Sequence, residues 1–509
     1  MHPSHFAASK PASPAVIMAE SGETISYAAL DAAANRGAHL LRRLGLRRGD
    51  VIAVMADNDA MLFDIGWAAQ RTGLYLTSIS TRLSPADVAY ILHDSGARLL
   101  IASDRLVSVV AGLRNELADV QAFLFDQPAL GIASWREACA DLPSSPVADE
   151  SAGADMLYSS GTTGRPKGVK PALPEGPIDA PTPLMGMGTA LYGMGEDCVY
   201  LSTSPLYHAA PLRWAMTIHR LGGCVVVMEK FDPEEALRLI ERYRITHATW
   251  VPTHFVRLLR LPDTVRNGYD LSSLRAVVHA AAPCPAPVKQ AMIDWWGPIV
   301  HEYYSGTECC GITALSAEQW LAKPGSVGRA VLGTIHILDE EGTELPVGET
   351  GGVYFSDGPA FSYHNDPAKT AQAHSPQGWA TLGDIGHVDG DGYLYLTDRK
   401  SFMIISGGVN IYPQEIENRL TTHPAVADIA VIGLPDEEMG ERVVAVVQPA
   451  DAAADHAELA AELTRFAREQ LGGVKTPRQF LFRAELPREA TGKMMKRRLI
   501  DELRGGDAA

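Results

Sequence analysis

Asp50-Val51-Ile52-Ala53-Val54-Met55 is a short apolar run opened by a single acid. Its flanks decide how it is read. Upstream, Tyr27, Leu30, Ala34, Ala38 and Leu41 recur at three- and four-residue steps, the spacing of one helix face. Downstream, a helix-like stretch over 61–72 leads to a second apolar segment over 74–79. A third cycle passes through 85–93 to Leu99-Leu100-Ile101. Strands alternating with helices in this way predict βαβ units, a mostly parallel sheet with helices on its faces.

The rhythm pauses at a Gly-, Ser- and Thr-rich loop over 159–168 and then resumes. Residues 224–228, 245–251 and 274–279 read as strands, and 234–243 as a helix. From about 325 the pattern turns strand-rich, with 335–338 and 352–355 set between Asp- and Gly-rich turns. Asp389-Gly390-Asp391-Gly392 reads as the turn of a hairpin joining 381–388 to 393–397. A charged break, Asp398-Arg399-Lys400, follows. Beyond it a small α+β unit is expected: a helix at Ile416 and Leu420, strands over 429–432 and 443–447, and a helix carrying Leu459, Leu463, Phe466 and Leu471.

Composition bounds the function. The 509 residues suit several compact units at about 150 each, with 46% hydrophobic and 21% charged residues, a globular mix. Lys and Arg number 44 against 61 Asp and Glu, a net charge of −17. Such acidity disfavours nucleic acid and anionic membranes as partners. Six cysteines make no disulfide framework and read as reduced, cytoplasmic thiols. No stretch approaches 18 uninterrupted apolar residues, so no membrane segment is expected. The N-terminal MHPSHFAASKPASP lacks the apolar core of a secretory signal and reads as a mobile tail.

The sharpest motif is Tyr158-Ser159-Ser160-Gly161-Thr162-Thr163-Gly164-Arg165-Pro166-Lys167-Gly168. Its glycines let backbone N–H groups approach an anion, its hydroxyls add donors, and Lys167 adds charge. Together they can hold a polyphosphate. The spacing departs from a Walker loop, because Gly168 rather than Ser or Thr follows the lysine.

This string resembles the phosphate loop of the adenylate-forming superfamily, which includes acyl-CoA synthetases, peptide-synthetase adenylation domains and firefly luciferase. The resemblance recurs in order from Thr24 to Lys493. Pro205-Leu206-Tyr207-His208 is similar to the segment whose His or aromatic residue lines the acyl pocket and gates the phosphates. His279-Ala280-Ala281-Ala282-Pro283 resembles the small-residue strip along the adenine, with Ala280 where Gly is common. In Tyr303-Tyr304-Ser305-Gly306-Thr307-Glu308 the resemblance implies that Tyr304 stacks on adenine, Thr307 bonds the α-phosphate and Glu308 carries Mg²⁺. A hard cation of this kind takes oxygen ligands and keeps waters and substrate phosphates. Cys309-Cys310 read as small pocket-side residues, since no second Cys or His pair has metal-ligand spacing.

Gly378-Trp379-Ala380-Thr381-Leu382-Gly383-Asp384, continuing to Asp398-Arg399-Lys400, resembles the ribose-binding motif. There Asp384 would accept hydrogen bonds from both ribose hydroxyls, helped by Arg399. A carboxylate suits this, offering two acceptor oxygens to two donors. The interdomain hinge of the family falls at Lys400 and Ser401. Ser406-Gly407-Gly408 looks like the segment lining the pantetheine tunnel of acyl-CoA synthetases. Leu486-Pro487-Arg488-Glu489-Ala490-Thr491-Gly492-Lys493 resembles the motif of the catalytic lysine, and Lys496, Arg497 and Arg498 continue it as a basic tail.

The resemblance implies a large α/β N-terminal domain (1–399, βαβ sheets plus a strand-rich subdomain), a hinge at 400–401, and a small mobile α+β C-terminal domain (402–509). It implies ATP, Mg²⁺ and coenzyme A as cofactors and a small-molecule carboxylic acid as substrate. The expected activity is AMP-forming acyl-CoA synthesis, with Lys493, Thr307, Glu308 and His208 as the catalytic set. The acyl pocket is expected around His208, Ala209, Ala210, Trp250, Ala280, Ser305, Gly306 and Cys310. These positions are mostly small and neutral and include no Arg or Lys, which suits a hydrophobic acid, fatty or aromatic. The alternatives are an acyl-AMP ligase that loads a carrier protein, a luciferase-like oxygenase and a silent acyl or nucleotide binder. A homodimer is compatible with the pattern.

Overall fold

The computed structural model describes residues 1–113, 119–159, 166–488 and 494–506. The chain divides into two compact units. The first comprises Met1–Trp250, Arg260–Val278 and Ala360–Thr370; the second comprises Val251–Leu259, His279–Pro359 and the chain from Ala371 on.

In the first unit, the opening run forms the strand Val51–Met55, with all five residues buried. It pairs in parallel with Tyr75–Ile79 on one side and Ala97–Ala102 on the other. Three shorter strands, Ala154–Asp155, Gln121–Leu124 and Ala133–Ser134, extend the sheet, again in parallel. A strand buried on both faces needs no alternation, which is why the sequence shows a continuous apolar run. Val51, Ala53 and Met55 pack with Val88, Ile91 and Leu92 of the helix Pro85–Ser95. That helix is capped by the Ser84 side chain and stopped by Gly96 at φ 66°. The predicted face of the helix Tyr27–Arg43 is the buried one: Tyr27, Leu30, Ala34, Ala38 and Leu41.

A second sheet of this unit runs through His247–Trp250, Val199–Ser202, Cys224–Val227, Pro14–Met18 and Thr24–Ser26. The first three pairings are parallel and the last is antiparallel. Its edge corrects the reading of the N-terminus. Residues Pro3–Ser9 form a helix with Phe6 buried, and Pro14–Met18 is a sheet strand. The Met1 ammonium donates to the Arg220 carbonyl, and Lys10 donates to the Gly222 carbonyl at 2.7 Å. Gly222 leaves room for Phe6, because a Cβ there would lie 2.6 Å from the ring.

The second unit is antiparallel where the sequence turns strand-rich. Thr334–Leu338, Gly351–Ser356, Ala380–Val388 and Leu394–Arg399 form a four-stranded meander. The predicted turn closes it, with Gly392 N–H donating to the Asp389 carbonyl at 3.0 Å. From Ile404 on, a further sheet has two apolar faces. Ile429, Val431, Val443, Ala445 and Val447 point to Ile416, Leu420, Leu459 and Leu463. Ala430, Ile432, Leu434, Val444 and Val446 point to Leu486 and Leu499. Period-two alternation on the two long strands, Val426–Asp436 and Gly440–Pro449, builds both cores at once. Those strands outrun the predicted segments at both ends. No helix among the described residues is long and apolar enough to cross a membrane.

Candidate active site

In the first unit the arms of the phosphate motif form a hairpin. Leu157–Ser159 pairs antiparallel with Lys167–Val169, placing Lys167 opposite Ser159 and Gly168 opposite Tyr158. Ser160, Gly161, Thr162, Thr163 and Gly164 lie outside the described residues. The hairpin base is fastened from two sides. The Tyr158 hydroxyl donates to Asp94 at 2.6 Å, and His364 N–H donates to the Gly168 carbonyl at 2.8 Å. Gly168 is required here, since a Cβ would meet the Tyr158 ring at 2.8 Å. The Lys167 ammonium lies 5.0 Å from the centre of the Tyr363 ring, within cation–π range.

His208 precedes the helix Ala209–Leu221 and Ala209 opens it. The His208 ring lies 4.6 Å from Tyr207. Trp250, at the end of its strand, is only 2% exposed and sits edge-on to Phe231.

In the second unit, Ala280, Ala281 and Ala282 lie between His279 and the helix Ala286–Trp296. Ala281 adopts φ 75°, a left-handed conformation unusual for a residue with a Cβ. Tyr304 ends the strand Val300–Tyr304. Its hydroxyl donates to Asp384 Oδ2 at 2.5 Å. Arg399 lies opposite Asp384 in the neighbouring strand and donates from Nε to Oδ1 at 3.1 Å. Three residues assigned to adenine and ribose are thus joined through one carboxylate that is 6% exposed. Desolvation, reinforced by the Asp384 charge, pushes the Tyr304 phenol well above its usual range, so it stays a donor at neutral pH.

The turn after Tyr304 holds Thr307 and Glu308, both partly exposed. Ser305 Oγ donates to the Gly311 carbonyl at 2.8 Å, and Cys309 N–H donates to the Gly306 carbonyl at 3.2 Å. Gly306 is closely packed: a Cβ would stand 2.6 Å from the side-chain ends of both Glu308 and Leu382, which would have to move aside. Cys310 is buried, and burial, with Glu308 adding to it, pushes its thiol up to about 12. It is therefore unreactive as a nucleophile.

Lys400 and Ser401 stand in a short turn, Lys400–Phe402, directly after Arg399. Ser406, Gly407 and Gly408 join the strands Ile404–Ser406 and Val409–Ile411. Gly407 and Gly408 take φ 57° and 78°, the paired left-handed residues of a tight hairpin turn. A Cβ at Gly407 would meet Met439 at 2.5 Å, whereas nothing lies within 4 Å at Gly408. Lys493 lies outside the described residues. The chain on either side of it is held together: Arg488 bridges antiparallel to Met494, and Met495 N–H donates to the Pro487 carbonyl at 2.9 Å. Arg488 is itself fixed by two bonds to Asp428, at 2.7 and 2.6 Å.

The family model described as AMP-binding enzyme matches residues 4–362, and that of the AMP-binding enzyme C-terminal domain matches 415–493. The chain belongs to the AMP-binding enzymes. It is 31% identical over 481 residues to the long-chain-fatty-acid–CoA ligase FadD13 of Mycobacterium tuberculosis, covering 93% of this chain and 92% of that one. It is 32% identical over 528 residues to the fatty acid–[acyl-carrier-protein] ligase ScoC of Streptomyces coeruleorubidus, covering 99% and 96%. Among solved structures, the anthranilate CoA ligase AuaEII in complex with anthranoyl-AMP superposes with a TM-score of 0.87 at 25% identity, covering 100% and 97%.

Two features of this AMP-binding enzyme escaped the sequence reading. Lys496, read only as part of a basic tail, is 5% exposed and pairs with Glu417 at 2.8 Å. Glu417 also accepts from Val431 N–H at 2.6 Å. Lys289 and Glu302 form a second buried ion pair at 2.5 Å. An isolated Lys or Glu in a helix or strand carries no local sign of its partner, so neither pair shows as a motif.

Proposed function

We propose that this chain activates a hydrophobic carboxylic acid, fatty or aromatic, as its acyl-AMP and passes the acyl group to coenzyme A. This is the reaction of an AMP-forming acyl-CoA ligase. A carboxylate is a poor electrophile. Attack of its oxygen on the α-phosphorus of ATP forms a C–O–P linkage and releases pyrophosphate. The sulfur of coenzyme A then attacks the acyl carbonyl, loses its proton and expels AMP.

The observation that supports this most is the joining of Tyr304, Arg399 and Asp384, with Thr307 and Glu308 on the turn that follows Tyr304. Tyr304 and the Ala280–Ala282 strip hold the adenine, and Asp384 receives the ribose hydroxyls on lone pairs that Tyr304 and Arg399 leave open. Thr307 donates to the α-phosphate. The Ser159–Lys167 segment holds the departing pyrophosphate, and Lys493 offsets the charge that builds as two anions converge.

Among the described residues no group of three or more His, Cys, Asp or Glu side chains could hold a metal by itself. One carboxylate and one hydroxyl, Glu308 and Thr307, suit a hard cation that keeps waters and phosphate oxygens as its other ligands. Mg²⁺ held at Glu308 would supply neutralisation of phosphate charge.

For the second half-reaction the residues from 402 on turn about Lys400 and Ser401, withdrawing Lys493 and presenting the Ser406-Gly407-Gly408 hairpin to the pantetheine arm. His208, Ala209 and Trp250 of the first unit, and Ala280, Ser305, Gly306 and Cys310 of the second, are assigned to recognition of the acid. Resemblance to the carrier-protein ligase ScoC favours a second reading, in which a carrier thiol replaces coenzyme A. The test is AMP release from ATP and a panel of fatty and aromatic acids, with and without coenzyme A. Release that depends on coenzyme A supports the ligase, and release indifferent to it contradicts coenzyme A as acceptor.

A further inference from the structure

Lys289 is fully buried, with no exposed surface, in the first turn of the helix Ala286–Trp296. Its ammonium meets Glu302 Oε2 at 2.5 Å and lies 5.2 Å from the centre of the Trp320 ring. Glu302 stands two residues before Tyr304 on the strand Val300–Tyr304 and is 6% exposed. His279, also without exposed surface, brings Nε2 to 3.5 Å from the same carboxylate oxygen. Neither of its ring nitrogens has a hydrogen-bond partner, and its ring packs edge-on against Phe255. Burial, with Lys289 adding to it, keeps the imidazole neutral.

A buried ion pair is a weak source of stability. Apolar residues of similar volume often serve a fold as well or better. What this pair does is geometric. Lys289 lies in the helix that follows the Ala280–Ala282 strip, seven residues past Ala282, and His279 directly precedes Ala280. Glu302 stands on the strand that delivers Tyr304. Between His279 and Lys289 the chain carries Ala281 at φ 75°, a conformation that persists only where its surroundings hold it.

We infer that Lys289 and Glu302 are positioning residues, a buried crossbar that fixes the Ala280–Ala282 strip against Tyr304 and so sets the width of the adenine site. The inference rests on the reading of that strip and Tyr304 as the adenine walls. It adds residues that would touch neither nucleotide nor acid.

The experiment is calorimetric titration of the full chain with MgATP and, separately, with inorganic pyrophosphate, which lacks an adenine. The variant is Lys289→Met/Glu302→Leu, which removes both charges together. The expected result is a dissociation constant for ATP raised about tenfold or more, with pyrophosphate affinity and the thermal midpoint close to those of the unaltered chain. ATP affinity equal to that of the unaltered chain overturns the crossbar. So does parallel weakening of ATP and pyrophosphate, which is the mark of general structural damage. Glu302→Gln keeps the shape and removes one charge, and it decides the matter if the double variant does not fold. A several-fold loss of ATP affinity alone is expected, and none overturns the proposal. Failure of the unaltered chain to bind MgATP would instead sink the functional reading itself.

Discussion

The Tyr304 hydroxyl donates to Asp384 Oδ2 at 2.5 Å, so the aromatic ring assigned to adenine and the carboxylate assigned to ribose share one hydrogen bond. Neither can shift without the other. Tyr304→Phe keeps the ring and deletes the bond. A hydrogen bond to a charged group contributes about 1.5–3 kcal/mol. The KM for ATP should rise roughly tenfold or more, with the KM for the acid little changed, as read by initial rates at varied ATP. Asp384→Asn should act in the same direction and more strongly.

Lys493→Ala should slow adenylation by ~10²–10³ or more, the scale for removing a group that stabilises developing charge. It should largely spare thioester formation from supplied acyl-AMP. Single-turnover measurement of each half-reaction checks this, and equal losses in both would remove Lys493 from its assigned step.

The glycine pair at the C-terminal hairpin separates two causes. Gly407→Ala meets both a left-handed φ and Met439 at 2.5 Å, whereas Gly408→Ala meets only its φ of 78°. The first should cost more stability than the second, which should lose about 1–2 kcal/mol. Both should impair transfer to coenzyme A more than adenylation. Denaturant titration beside half-reaction rates reads the two effects.

Much of the fold is legible because burial repeats locally. The run at 51–55 and the helix face at Tyr27, Leu30, Ala34, Ala38 and Leu41 announce themselves through period alone. The Asp389–Gly392 turn does so through its residue types. The N-terminal helix does not, since its docking depends on Phe6 entering space left by Gly222, far along the chain. The ribose and adenine residues were legible only by resemblance. Nothing local in Tyr304 points to Asp384, and nothing in Lys289 points to Glu302.

Acid should destabilise the first unit through His219. Its Nε2–H donates to the Ala15 carbonyl at 3.1 Å, and its Nδ1 accepts from Trp67 Nε1 at 3.2 Å. Burial lowers this imidazole to about 4 from an ordinary 6.5. Below pH 6.5 the unfolded chain therefore takes up a proton that the folded chain refuses, and stability falls until pH approaches 4. The loss from this group between pH 7 and 5 is about 2 kcal/mol. His219→Gln should flatten the pH dependence of the denaturation midpoint over that interval, and an unaltered slope would contradict the assignment.

The most direct test of the whole account is exchange of labelled pyrophosphate into ATP by the purified chain, across a panel of fatty and aromatic acids. Acid-dependent exchange is expected with at least one of them, slowed by ~10²–10³ or more in Lys493→Ala and lowered at limiting ATP in Asp384→Asn. Exchange with none, from a folded protein supplied with Mg²⁺, would contradict the account.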